Sequence, residues 1–239
     1  MLDKRPCIES FCQKHPLLLE HLGAVLHYNQ TTNLTSVTSR RAGEVLHIED
    51  SLAVLPEVHE APAGALADLG SGAGYPGIPL ALVTGRQTTL IEANKKKGRF
   101  LESFVVAHAL AASIEISPLR SEELALERGE AFAVVTARAV AELPALLELA
   151  APLLMLQGRF IALKGRPSVE ELERGAIAAE KLGMRLCSER YYHLSNVEGG
   201  AQAHADKGAQ RCVLVYEKHT QPSITLPRRP GMATKRPLA

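Results

Sequence analysis

Residues 65–79 read Ala-Leu-Ala-Asp-Leu-Gly-Ser-Gly-Ala-Gly-Tyr-Pro-Gly-Ile-Pro: a short apolar run, an acid, then four glycines within eight positions. The spacing predicts a buried strand over Ala65–Leu69 and a helix starting at Pro76–Ile78, so the glycines form the turn between them. Such a turn lets backbone approach a ligand closely and presents N–H groups at the helix N-terminus. Gly72-x-Gly74-x-x-Gly77 alone would suggest a dinucleotide site. Asp68-x-Gly70-x-Gly72-x-Gly74 is more telling, because a pyrophosphate is repelled by a carboxylate at the strand tip. The pattern points to a ligand without phosphates. S-adenosylmethionine (AdoMet) is one, with a sulfonium and an ammonium that an acid helps to hold.

The rest of the chain supplies a frame for this turn. Strand signals fall at Ala65–Leu69, Thr88–Glu92, Ser113–Ser117, Ala133–Thr136 and Arg159–Leu163. Helix signals fall between them at Gly77–Val83, Lys97–Ala109, Ala141–Leu156 and Val169–Leu182, with a short turn at Ser121–Leu126. Ser168 and Glu171 form a capping box at the start of the last helix. Alternation of this kind specifies a mostly parallel sheet covered on both faces. Leu186–Leu194 and Arg211–Glu217 then follow without a helix between them, which predicts an antiparallel edge. Residues 198–208, polar and glycine-rich, read as a flexible loop.

The 239 residues divide into three parts: an N-terminal helical extension (1–63), a core (64–218) and a basic, proline-rich tail (219–239). In the extension Leu18, Leu22, Val25 and Leu26 recur at helical spacing, as do Val45, Ile48, Leu52 and Leu55. Tyr28–Thr35 is a polar connector, and Glu60-Ala-Pro-Ala-Gly reads as a hinge-like link into the first strand. Net charge is +1 for the chain, −3 for residues 1–63 and +4 for residues 219–239. A basic tail on a neutral body is a footprint for a polyanion or a solvated end. No apolar stretch is long enough to span a membrane, and the N-terminus lacks a secretory signal. Four cysteines without a C-x-x-C pair suit reduced thiols in a cytoplasmic protein, and nine scattered histidines argue against a metal site.

In an open parallel sheet ligands sit beyond the carboxyl ends of the strands. Asp68, Gly70, Gly72, Gly74 and Tyr75 follow the first strand. Glu92 ends the second, twenty residues past Gly72, placed to accept hydrogen bonds from ribose hydroxyls. Ser121 and Glu122 follow the third and could meet an adenine edge or merely cap a helix. Arg138 and Lys164 follow the fourth and fifth; they could orient a base or phosphate, or pair structurally with Asp68 or Glu142. Lys95-Lys96-Lys97 opens a helix and opposes its macrodipole, which suits a nucleic-acid backbone or a solvated face.

Several segments together resemble the RsmG (GidB) family of bacterial ribosomal RNA methyltransferases. They are Asn33-Leu-Thr, His47-Ile-Glu-Asp50-Ser51-Leu52, the glycine turn continuing to Leu80, and Arg138-Ala139. Gly158–Gly165, Arg211–Lys218, Pro227-Arg-Arg-Pro-Gly231 and Lys235-x-Pro-Leu238 extend the resemblance over nearly the whole chain. It implies a Rossmann-like class I AdoMet methyltransferase fold: a mostly parallel seven-stranded sheet with one antiparallel edge strand and an N-terminal helical extension. It implies methyl transfer from AdoMet to N7 of a guanine, position 527 of 16S ribosomal RNA, with the rRNA or small ribosomal subunit as partner. Cofactor roles carry over onto Gly70, Tyr75, Ser121, Glu122 and Arg138. Lys96, Lys97, Lys164, Arg166, Arg228, Arg229 and Lys235 are the candidate RNA contacts. Glu92 stands where an Asp followed by Ser is usual, and Ser121 replaces a small apolar residue. The glycine turn by itself also suits an AdoMet methyltransferase acting on a small molecule or protein, or a nucleotide-binding module without catalysis.

Overall fold

Seven strands form one sheet: β1 (Leu66–Leu69), β2 (Thr88–Ile91), β3 (Ile114–Ser117), β4 (Phe132–Arg138), β5 (Leu154–Lys164), β6 (Met184–His193) and β7 (Gln210–Lys218). The structure is a computed structural model that describes residues 8–196 and 210–239; the loop expected at 198–208 lies outside the described residues. The spatial order is β3-β2-β1-β4-β5-β7-β6. Strands β1 to β5 pair in parallel, and β7 runs antiparallel to both β5 and β6. The antiparallel strand is therefore not the edge strand itself. It lies one place inside, because Cys212–Tyr216 is a continuous buried apolar run that needs a neighbour on each side. Strand β6, polar and largely exposed, takes the edge.

Helices α1 (Ile8–Lys14), α2 (Leu17–Tyr28), α3 (Arg40–Gly43), α4 (Asp50–Leu52) and α5 (Leu55–Glu60) precede the sheet, with a π-helical turn over Glu44–Glu49. Helices α6 (Gly77–Thr84), α7 (Lys95–Ala107), α8 (Ser121–Arg128), α9 (Leu143–Ala150) and α10 (Val169–Lys181) alternate with strands, and α11 (Met232–Lys235) follows β7. One face of the sheet carries the N-terminal helices with α6 and α7, in a core containing Leu22, Ile48, Ile78, Phe100, Val134 and Ile161. The other carries α8, α9 and α10 over Ala67, Val135, Leu146, Phe160 and Leu214. In α2 the helical spacing of Leu18, Leu22 and Val25 buries all three, each contributing about 2 kcal/mol. His21 shares that face and reaches the glycine turn, its Nε2 lying 2.8 Å from the Ala73 carbonyl oxygen.

Three further expectations change. The helix expected over Ala141–Leu156 ends at Ala150, because Pro152 has no N–H and its ring would strike the preceding turn; Leu154 already belongs to β5. The hinge-like link at 60–64 is pinned: the Arg86 guanidinium donates to the carbonyls of Val58, Ala61, Pro62 and Gly64. Residues 219–239 are not a free tail. Ile224, Leu226 and Leu238 pack against the second core and Ala233 is buried.

Buried titratable groups give the fold a pH signature. Burial pushes His21 down to about 3, and burial with the nearby Arg138 charge pushes His47 down to about 4. Both native values lie below the unfolded one, so falling pH favours the unfolded chain. Burial pushes Asp68 up to about 6, which works in the opposite direction below that pH. Between pH 6.5 and 5 the net is one histidine, so stability should fall by up to ~1.4 kcal/mol per pH unit. Denaturant midpoints across that range check this, and His21→Phe should flatten the slope. Stability rising on acidification would contradict the assignment.

Candidate active site

Asp68, one residue before the end of β1, is fully buried. Its Oδ1 accepts from the Thr136 hydroxyl at 2.8 Å and its Oδ2 from the Gly77 N–H at 3.1 Å. A Cβ on Gly77 would stand 2.3 Å from Leu90 Cδ2 and 2.8 Å from Asp68 Oδ2, so only glycine lets the α6 start sit on the acid. Asp68 thus ties strand end to helix start and does not line the adjacent cleft. Through these bonds Asp68 controls the shape of the turn. Gly70, Gly72 and Gly74 take φ of +63°, +58° and +97°, the left-handed region where side chains are strained. Glu92 receives the turn: its Oε2 accepts from the Gly72 N–H at 2.8 Å and its Oε1 from the Asn94 N–H at 2.7 Å.

A cleft of about 570 Å³ opens beside this turn. Gly70 to Ala73, Tyr75, Lys97, Arg138 and Lys164 line it from the core. Leu34 to Val37, Leu46, His47 and Asp50 line it from the N-terminal extension, which is therefore a wall of the site as well as a brace. Tyr75 is buried between two imidazoles, its ring 4.6 Å from His21 and 4.5 Å from His47, the latter stacked at 18°. Burial raises its pKa, and the buried hydroxyl has no hydrogen-bond partner. His47, neutral at pH 7 by its lowered pKa, places Nε2 3.1 Å from the Thr35 hydroxyl.

Arg138 leaves the tip of β4 and turns towards the extension. Its Nη1 donates to the Leu46 carbonyl at 2.8 Å and to Asp50 Oδ2 at 3.0 Å, and the guanidinium lies 5.6 Å from the Tyr75 ring centroid. Asp50 is almost fully buried and also accepts from the Tyr192 hydroxyl at 2.7 Å, with Arg211 Nε 3.5 Å away. The structural partner of Arg138 is Asp50, neither Asp68 nor Glu142. Lys164 pairs with Glu171 and donates to the Ala141 carbonyl at 3.1 Å while still lining the cleft.

The remaining candidates are dispersed. Lys97 lines the cleft, while Lys96 and Arg166, each next in sequence to a lining residue, are exposed. Ser121 donates to the Leu149 carbonyl at 2.8 Å, and Glu122 accepts from the Gly231 N–H at 2.7 Å. Arg228 is held by Glu148, whereas Arg229 and Lys235 are exposed. Sequence reasoning assigned no role to Thr35, His47, Asp50 or Arg211. The signal available was His47-Ile-Glu-Asp50, a cluster of polar residues within an apolar helical repeat. The π-helical turn that aims them is invisible to a period count.

Glu92, whose carboxylate holds Gly72, is not itself among the residues that line the cleft. Gly72 presents no side chain to it, only the Gly70 carbonyl lying within 4 Å of where a Cβ would point, and a carboxylate stands at the adjoining strand end. Sheet order, glycine turn and strand-end acid together define a Rossmann-like class I methyltransferase fold. Solved structures agree on this: the YcgJ protein from Bacillus subtilis is 14% identical with a TM-score of 0.51, covering 70% of this chain and 97% of that one. A putative methyltransferase from Bacillus halodurans is 13% identical with a TM-score of 0.51, covering 71% and 99%. The family described as rRNA small subunit methyltransferase G matches residues 14–195, and the chain belongs to that family. Ribosomal RNA small subunit methyltransferase G of Carboxydothermus hydrogenoformans is 37% identical over 95% of this chain and 92% of its own length. The protein of that name from Geobacillus kaustophilus is 32% identical over 90% and 87%.

Removing one partner of a buried charge leaves the other uncompensated, at a cost of about 3–5 kcal/mol. Asp50→Ala should therefore destabilise the chain by that amount in denaturant unfolding, and Tyr192→Phe by about 1 kcal/mol. An Asp50→Ala midpoint equal to that of the unaltered chain would contradict the arrangement around Arg138.

Proposed function

We propose that this chain transfers a methyl group from AdoMet to N7 of guanine 527 in 16S ribosomal RNA, working in the cytoplasm on the rRNA or the small ribosomal subunit. The observation that carries the reading is the glycine turn, held by Glu92 and opening on a cleft walled by the family's own N-terminal motifs. Bound AdoMet would supply an electrophilic methyl group on a sulfonium. Gly70, Gly72 and Tyr75 would bound its place, and Glu92 would take the ribose diol. Gly74 and Asp68 support this from behind the turn.

Guanine N7 carries an in-plane lone pair and no proton at neutral pH, so no general base is required. The protein's task is alignment and exclusion of water. A purine that gains positive charge is disfavoured by a cation close by. The neutral state of His47 and the pairing of Arg138 with Asp50 limit such repulsion. Arg138 and Lys164 are then orienting groups, acting on the guanine O6 or a phosphate. Lys96, Lys97 and Arg166 supply exposed or half-exposed positive charge for the RNA backbone.

Mass spectrometry of 16S rRNA from cells with and without the gene tests the reading: one N7-methylguanine at position 527 should vanish without it. An unchanged modification pattern would overturn it. Lys164→Ala should lower kcat by about tenfold or more while AdoMet affinity stays within about twofold, on the scale of one lost orienting contact. A large loss of cofactor affinity in calorimetry would contradict that role.

A further inference from the structure

The segment after β7 was expected to act through its charge, yet the structure uses it as an internal strap. Ser223 N–H donates to the Lys181 carbonyl at 2.9 Å, and Ile224 and Leu226 pack on the second core. At its far end Leu238 packs on the same core, and Lys181 and Arg174 reach the carbonyls of Leu238 and Ala239. Between these anchors Arg228 forms a forked pair with Glu148 of α9, which is 4% exposed, Nε donating to Oε1 at 2.7 Å. The same guanidinium donates to the Arg236 carbonyl at 2.8 Å and so closes the loop 228–236 on itself. At the turn of that loop the Gly231 N–H donates to Glu122 Oε1 at 2.7 Å.

We propose that this strap is a positioning element of the cofactor pocket: Arg228, seated on Glu148, presents the Gly231 N–H that fixes the Glu122 carboxylate. The proposal rests on the reading of Glu122 as an adenine-side residue of an AdoMet site. Glu122 stands in the first turn of α8, after β3, and β3 pairs with β2, whose end leads to Glu92 and Gly72. It is therefore at the carboxyl edge of the sheet, where a ligand on the glycine turn would extend. A free glutamate there would sample several rotamers, and ordering it on binding would weaken affinity. An N–H from a strap anchored at both ends removes that freedom beforehand. The donor is available because Gly231 adopts φ of +82°, which turns the chain back at that point. Two consequences separate this from a polyanion footprint. The Arg228 charge is neutralised by a buried carboxylate, and loosening the loop acts first on the cofactor.

Calorimetric titration of AdoMet into the full chain and six variants tests the proposal. Gly231→Ala strains the backbone at a point with open space around the added methyl, so the core is left intact. Arg228→Met with Glu148→Met removes both members of the buried pair together and avoids a stranded charge. Each should weaken AdoMet binding about tenfold, the scale of one hydrogen bond to a charged acceptor. The KM for AdoMet should rise in step while kcat at saturating AdoMet stays within about twofold. Glu122→Ala should weaken binding similarly, and adding Gly231→Ala to it should cost nothing further; Glu122→Gln, which keeps the acceptor oxygen, should stay sensitive to Gly231→Ala. Unchanged AdoMet affinity in a folded Gly231→Ala protein, or effects that simply add, would overturn the strap. If the double methionine variant unfolds, Gly231→Ala decides alone. Failure of the unaltered chain to bind AdoMet would overturn the cofactor reading and the strap with it, a result distinct from binding that ignores the strap.

Discussion

Asp50 is the joint on which the cleft depends. Its carboxylate is carried on the N-terminal helices and buried against groups from three strands: Arg138 of β4, Tyr192 of β6 and Arg211 of β7. A lone carboxylate in that position would be strongly unfavourable, and only this set of donors makes its burial tolerable. Because the donors come from the sheet, the helices must dock in one orientation to satisfy it. That orientation brings His47 onto Tyr75 and the 34–37 segment over the glycine turn. Glu57 with Arg190, and Glu49 with Ser195, repeat the device further along the same interface. An extension that carries net negative charge is thereby matched to basic strand ends. These ion pairs act beside the apolar core that the two parts share.

The same economy of charge shapes the site's chemistry. The two histidines beside Tyr75 are kept neutral by burial, and the arginine nearest them is paired. Methyl transfer to an unprotonated ring nitrogen needs a donor, a nucleophile and a line between them, with no proton to move. A pocket of neutral rings and satisfied ions suits that demand better than one holding a free base. Lys97 adds positive charge to the lining of the cleft, whereas the Lys164 charge there is paired with Glu171.

Much of the fold was legible because its signals are local. The strand–turn–helix at 65–84 follows from Asp68, the glycines and Pro76, and the alternation to Lys181 follows from apolar periodicity. The inside position of β7 left a trace in the apolar run Cys212–Tyr216, but the lack of a helix between the last two strands suggested an antiparallel edge instead. The site was only half legible. Gly70, Tyr75, Arg138 and Lys164 line the cleft as strand-end logic suggested, since that logic depends on topology alone. Asp68 and Glu92 took backbone partners that no sequence pattern specifies. His47 and Asp50 reach the cleft through a π-helical turn and pairing across about ninety residues, relations without a local signature. The tail was legible only as charge: counting charges cannot reveal that Glu148 lies buried opposite Arg228, while Arg229 and Lys235 stay exposed.

The glycine turn, walled by the N-terminal helices, is the place proposed for a sulfonium donor. A crystal structure of the full chain with S-adenosylhomocysteine tests it most directly. The ribose hydroxyls should lie on Glu92, the backbone of Gly70 to Gly72 against the ligand, and its sulfur should face the space beside His47 and Arg138. Ligand density elsewhere on the molecule, with that turn and cleft left bare at saturating concentration, would contradict it.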